Sequence, residues 1–148
     1  MGLAYYDKKK YDESIKYYMK SYGCAKKLAV DIHKIHNSAG ITYDDMRLDD
    51  KALEYYKKAI EADPKYHSAY YNMAIVYKRQ NKLEDAINWY KKAIEVNPRY
   101  SYAYNNLGNI YKTRMNYDEA IKCYKKAVQH LSTYTLAYAN MGVCYLKV

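Results

Sequence analysis

Pro64 and Pro98 stand 34 residues apart, and the chain keeps that period well beyond its two prolines. A shift of 34 lays residues 67–100 over residues 101–134 with twelve of the 34 positions identical. It also carries Gly40 to Ala74, Gly108 and Gly142, and Tyr43 to Tyr77, Tyr111 and Tyr145. Ala52 goes to Ala86 and Ala120, Tyr56 to Tyr90 and Tyr124, and Ala59 to Ala93 and Ala127. Self-similarity at such a period constrains the fold more than any single motif. Each unit is one supersecondary element that cannot bury its apolar face alone, so the units must stack.

Within a unit the apolar columns describe two helices. Tyr70, Met73, Ala74 and Tyr77 are spaced three, four and seven apart, one face of a helix, and Tyr104, Leu107, Gly108 and Tyr111 repeat them. Leu83, Ala86, Ile87, Tyr90, Ala93 and Ile94 form a second such face. Between the faces lie short polar breaks such as Gln80-Asn81-Lys82 and Arg114-Met115-Asn116, and Asn81 suits the left-handed conformation of a tight turn. The small columns mark where helix backbones approach closely, and the tyrosine columns fill the gaps. Pro64 and Pro98 close the second helix of their units. With 23 Tyr, one Trp and no Phe, tyrosine must take the large aromatic places of the core, and each buried hydroxyl needs a partner.

The run Tyr104-Asn105-Asn106-Leu107-Gly108-Asn109-Ile110-Tyr111, followed by Tyr117-Asp118-Glu119-Ala120 and Tyr124-Lys125-Lys126-Ala127, resembles the tetratricopeptide repeat signature. The resemblance covers nearly the whole chain. It departs at Ser132, which stands where the prolines stood and leaves that turn less fixed, and at His36, which replaces the first aromatic of its unit. It implies an all-α fold, a right-handed superhelical α-solenoid of antiparallel helix pairs. The expected array runs as a partial repeat over 1–32, repeats over 33–66, 67–100 and 101–134, and a half repeat over 135–148. In the partial repeat Gly2 and Tyr5 read as the end of a first helix, and the run from Tyr11 to Tyr18 as the second. From Ser14 to Ala52 is 38 residues, four more than the period, or about one helical turn, so residues 25–31 read as a lengthened helix end or loop. Residues 135–148 read as a first helix without its mate, with Met141, Val143, Tyr145 and Leu146 uncovered. The chain is therefore expected to be part of a longer array or to pair with another copy through its ends.

In this family the first helices line a concave groove, which implies where a ligand would lie. The columns not claimed by the core contain Asn72, Asn106 and Asn140, with Ser38 in the earlier unit. Beside them stand Asn105, Asn109, Tyr71, Tyr102 and Lys34, and at the edge Lys78, Arg79, Lys112 and Lys147 against Asp44 and Asp45. Asn is a middling helix former, so its repetition asks for a reason. Side-chain amides spaced down a groove can hydrogen-bond an extended backbone whatever its side chains, or they can bond the neighbouring helix. A similar asparagine ladder runs down the repeat arm of the O-linked N-acetylglucosamine transferases. That weaker resemblance implies a second reading, a substrate-recognition segment of a larger enzyme. A self-assembling structural segment is a third.

Other classes are not expected. In the chaperone-tail clamp of this family, Lys and Asn are needed where Asn37 and Ile41 stand, and Lys and Arg where Tyr102 and Asn106 stand; only Asn72 fits. The net charge of +9 raises nucleic acid. Yet Lys57-Lys58, Lys91-Lys92 and Lys125-Lys126 recur late in each second helix, and acidic pairs open those helices, which complements the helix dipole and leaves a solvated outer face. The basic balance favours an acidic peptide or protein partner, not nucleic acid. His33 and His36 lack a metal-spaced acidic or Cys neighbour, and the acidic stretch Asp44-Asp45-Met46-Arg47-Leu48-Asp49-Asp50 lacks the Gly and closing Glu of a calcium loop. That stretch is expected to supply the turn and the cap of the next helix. With no phosphate loop and no nucleophile motif, neither catalysis nor a cofactor is expected. Cys24, Cys123 and Cys144 have no pairing or zinc spacing, and no membrane-length apolar run or signal peptide is read. The reading is a cytoplasmic or nuclear protein.

Overall fold

The computed structural model describes the backbone of residues 2–28 and 31–148, and the side chains of residues 10–24 and 31–148. Eight helices run in order among the described residues: α1 (Gly2–Leu28), α2 (Ile32–Asp45), α3 (Asp49–Ala62), α4 (His67–Arg79), α5 (Leu83–Val96), α6 (Ser101–Thr113), α7 (Tyr117–His130) and α8 (Thr135–Tyr145). They fall into two compact units, Met1–Val76 and Tyr77–Val148.

The first unit departs from expectation at its start. α1 is one unbroken helix of 27 residues, so no turn separates Tyr5 from Tyr11. No Pro or Gly stands between those residues to break the helix, and the polar run Asp7-Lys8-Lys9-Lys10 propagates it. Of the predicted lengthened end, residues 25–28 are helical, residues 29 and 30 lie outside the described residues, and Asp31 is left-handed with φ 52°. α1 packs on α2, and α2 on α3. Ala52, Tyr56 and Ala59 of α3 are fully buried. The ring of Tyr56 lies against Gly40, so close that a Cβ there would meet it at 2.6 Å. His36 takes up the aromatic place of its column, with its ring 4.9 Å from that of Tyr22 and 6.0 Å from that of Tyr55. Burial, helped by the Lys58 ammonium, lowers its pKa.

The second unit repeats the plan. α5 packs on α6, α6 on α7, and α7 on α8. Tyr90 and Tyr124 are fully buried, as are Ala86, Ala93, Ala103, Ala120, Ala127 and Ala137. Met141, expected to lack cover, packs partly buried against the cluster of α7 and α8 that contains Ala137 and Cys144. Val143, Tyr145 and Leu146 are exposed.

The turns show what holds each pair. Arg47, Asn81 and Met115, one period apart, all adopt left-handed φ of 58–59°. After each of them the chain re-enters a helix whose first turn is acidic: Asp49 and Asp50, Glu84 and Asp85, Asp118 and Glu119. The acidic stretch before α3 does not cap it. Leu48 is the N-cap and makes no side-chain cap bond, and Asp49 and Asp50 lie inside the first turn, where they face the positive end of the dipole. Asn116 does cap α7, accepting from the Glu119 N–H at 3.4 Å. The turn carrying Ser132 keeps the backbone bonds of its proline counterpart. Leu131 N–H donates to Ala127 at 3.0 Å as Asn97 N–H donates to Ala93 at 2.9 Å. Missing instead is the side-chain bond by which Asn97 accepts from the Arg99 N–H, since Leu131 has no acceptor to offer.

Candidate peptide-binding face of the first helices

α2, α4, α6 and α8 are the first helices of their pairs, and they carry the residues expected to touch a ligand, except Lys147, which follows α8. In the first unit Asn72 does not reach toward an open face. Its amide donates to Asn37 Oδ1 at 2.9 Å, and Asn37 is itself buried. This bond joins α4 to α2, and Ser38, which shares the column of Asn72, is not the partner. Tyr71 of α4 is half-buried.

The second unit contains the same kind of rung, extended by a cation. Asn140 donates from Nδ2 to Asn105 Oδ1 at 3.3 Å and accepts from Lys112 Nζ at 2.8 Å on its own Oδ1. Asn105, expected in the groove, is only 2 % exposed and works between α6 and α8. Asn109 is also bonded within the scaffold. Its Oδ1 accepts from the Tyr124 hydroxyl at 2.7 Å, tying α6 to α7 and satisfying the one polar atom of a buried ring. The hydroxyl's pKa is raised, first by burial and then by the nearby Cys144 and Cys123 thiols. Asn72, Asn105, Asn109 and Asn140 are therefore packing amides in this structure. An amide inside a helix can be read two ways from sequence, and here each has found a helix neighbour.

Tyr102 is placed differently. It is 48 % exposed, yet its ring is held edge-on by Tyr134 at 5.3 Å and by Tyr100 at 5.9 Å between centroids. Asn106, one turn further along α6, is half-buried, as is Lys112. Lys78 and Arg79 occupy the last turn of α4, both half-buried. Two apolar residues of α8 that the period aligns with α6 positions are exposed: Leu136, in the column of Tyr102, and Val143, in the column of Asn109. Leu136 was legible only through that column, because an isolated Leu in a helix reads as core.

The outer faces are the lysine-rich ones. Lys57, Lys91, Lys92, Lys125 and Lys126 are exposed, and Lys58 pairs with Glu54 at 2.5 Å. No helix among the described residues is long and apolar enough to cross a membrane.

Known proteins match this arrangement. A family model described as TPR repeat matches residues 76–113, and models described as tetratricopeptide repeat match residues 101–134, residues 55–88, and residues 1–25 with 33–66. Together they cover residues 1–25 and 33–134. No curated protein matches the chain in sequence. Among solved structures, MamA is similar at 28 % identity with a TM-score of 0.76, over 94 % of this chain and 79 % of that one. BtubC from P. vanneervenii has 21 % identity and a TM-score of 0.79, over 98 % of this chain and 70 % of that one. The first TPR of Spaghetti (RPAP3), bound to the HSP90 peptide SRMEEVD, has 23 % identity and a TM-score of 0.71, over 77 % of this chain and 90 % of that one. The last two show the fold alone. Paired helices at a period of 34, small residues under buried tyrosines and four matching repeat models lead to one conclusion: the chain belongs to the tetratricopeptide repeat family, a non-catalytic helical scaffold.

Proposed function

We propose that this scaffold is a protein-interaction module that holds an extended peptide or partner segment on the face of the first helices α6 and α8. The observation that carries the reading is Tyr102. The large aromatic places of the core are filled by Tyr56, Tyr90 and Tyr124, so Tyr102 is not needed there. It stands half in water, fixed by two other rings, one turn from Asn106. A pre-ordered amphipathic ring beside an amide gives a ligand contact area at small entropic cost. A protein of similar fold is bound to the HSP90 peptide SRMEEVD, which supports the reading without naming this chain's partner. A preference for acidic partners rests on the net charge of +9.

The test is a random-peptide array read with the wild-type chain and with Tyr102→Ala. Loss of most bound sequences is expected with unchanged circular dichroism, and an unchanged binding pattern would remove this face from consideration. Because Asn72, Asn105, Asn109 and Asn140 hold helices together, replacing them would confound stability with binding.

A second reading is favoured by α8. Leu136, Tyr138, Val143 and Tyr145 stay exposed on it, and Leu146 just past its end, an apolar surface suited to self-association. Sedimentation at rising concentration separates the two, and a monomer throughout would exclude the second.

A further inference from the structure

We infer that Lys112, held by Asn140, is a carboxylate-binding site on the α6–α8 face, so that the bound segment presents an acidic group flanked by an apolar one. The inference rests on the peptide-binding reading above and names the chemistry of one position in it.

Lys112 is half-buried near the end of α6, and its ammonium is fixed by the 2.8 Å bond to Asn140 Oδ1. That partner is neutral. It satisfies one of three N–H donors and none of the charge. Among the described residues no carboxylate pairs with Lys112, and the two carboxylates of this unit that do form ion pairs are engaged elsewhere, Glu84 by Arg114 and Glu119 by Lys122. An ammonium held on a half-buried side chain by a neutral amide attracts an anion more strongly than a freely moving lysine does.

Packing alone does not call for the charge. The corresponding rung in the first unit, Asn72 to Asn37, joins two first helices without a lysine, since the residue two periods before Lys112 is Asp44. In the second unit Asn140 already reaches Asn105, and Lys112 adds a cation to a rung complete without it. One period earlier the same column holds Lys78. Leu136 and Val143 lie four residues before and three after Asn140, on its face of α8, and both are exposed. The site thus offers two free ammonium donors between aliphatic side chains.

The test uses an array of random nonapeptides, N-acetylated and C-terminally amidated, read with wild type, Lys112→Met and Lys112→Arg. Bound sequences are remade with each Asp or Glu replaced by Asn or Gln, and separately with a free C-terminal acid. One acid is expected whose amide replacement weakens wild-type binding roughly 3–10-fold while leaving Lys112→Met binding unchanged, with Lys112→Arg close to wild type. Rescue of the amide peptide by a free C-terminus would assign the carboxylate to the chain end instead of a side chain. If acid-to-amide replacement has no effect, or weakens Lys112→Met as much as wild type, the site is refuted while the peptide face survives. If no peptide binds, that face fails, and the site is judged by titrating N-acetylglutamic acid α-amide against N-acetylglutamine α-amide. Shifts of the Asn140 side-chain amide and Val143 methyl resonances with the acid alone would uphold the site; equal or absent shifts would overturn it.

Discussion

Alanine at Gly108 puts a methyl group 2.7 Å from Tyr124 Cε1, 3.0 Å from Cδ1 and 3.1 Å from Cζ. The ring cannot easily withdraw. It is fully buried, and its hydroxyl is tied to Asn109 at 2.7 Å. Two effects oppose each other. Ala is the better helix residue by about 1 kcal/mol. Overpacking a closed site costs about 1–3 kcal/mol, and losing the hydroxyl bond adds about 1 kcal/mol if the ring tilts. The cost wins, and Gly108→Ala should lower stability by about 1–2 kcal/mol. Gly142 stands in the same column, but a Cβ there meets nothing within 4 Å. Gly142→Ala keeps the propensity term and loses the clash, so it should raise stability by up to about 1 kcal/mol. Urea unfolding followed by circular dichroism measures both, with the m-value expected to hold. The gap between the two variants isolates packing, and a double variant with Tyr124→Leu should recover much of the loss at Gly108. Equal stability of Gly108→Ala and Gly142→Ala would refute the close approach as the reason for glycine in this column.

Three further outcomes are expected. Tyr124→Phe removes the donor to Asn109 and should cost about 1 kcal/mol by the same unfolding assay; a neutral result would mean that the bond contributes nothing net. Met115→Gly should stabilise by about 1 kcal/mol, because Met115 has φ 58° and a side chain 76 % exposed, leaving backbone strain to decide the sign; a loss of stability would show that its side chain matters. Stability should fall as pH rises above about 9, since burial pushes the Cys123 thiol from 9.0 up to about 12. A raised folded value means that the unfolded chain ionises first, so the contribution is intact below about pH 9 and is lost on the way to 12. The raised Tyr124 hydroxyl acts in the same direction. A urea midpoint that stays flat over that range, or rapid alkylation of Cys123 in the folded chain alongside exposed Cys24, would contradict this.

What the period encodes and what it does not can be seen residue by residue. It aligned Gly40, Gly108 and Gly142, and the first two do sit under buried tyrosines. It aligned Arg47, Asn81 and Met115, whose backbones share one left-handed conformation. Of those three only Asn81 announced it by residue type, because Arg and Met carry no preference for that region and are held there by the helices on either side. Column membership was therefore the better guide to backbone. For side chains the reverse held. Asn72, Asn106 and Asn140 share a column and invited a common role, but the observed bonds run Asn72 to Asn37 and Asn140 to Asn105, an offset of 35 residues instead of 34. A hydrogen bond between two first helices depends on how the intervening second helix sets their register, and that register is a product of packing that no repeat count contains. The same offset takes Asn105 out of the face and into the interior. It leaves Tyr102 and Lys112, neither belonging to the asparagine column, as the groups with contact area and charge to spare. A search for ligand contacts in arrays of this kind should start from the residues left over once inter-helix bonds are satisfied, because a repeated polar column is as apt to hold the scaffold together as to hold a ligand.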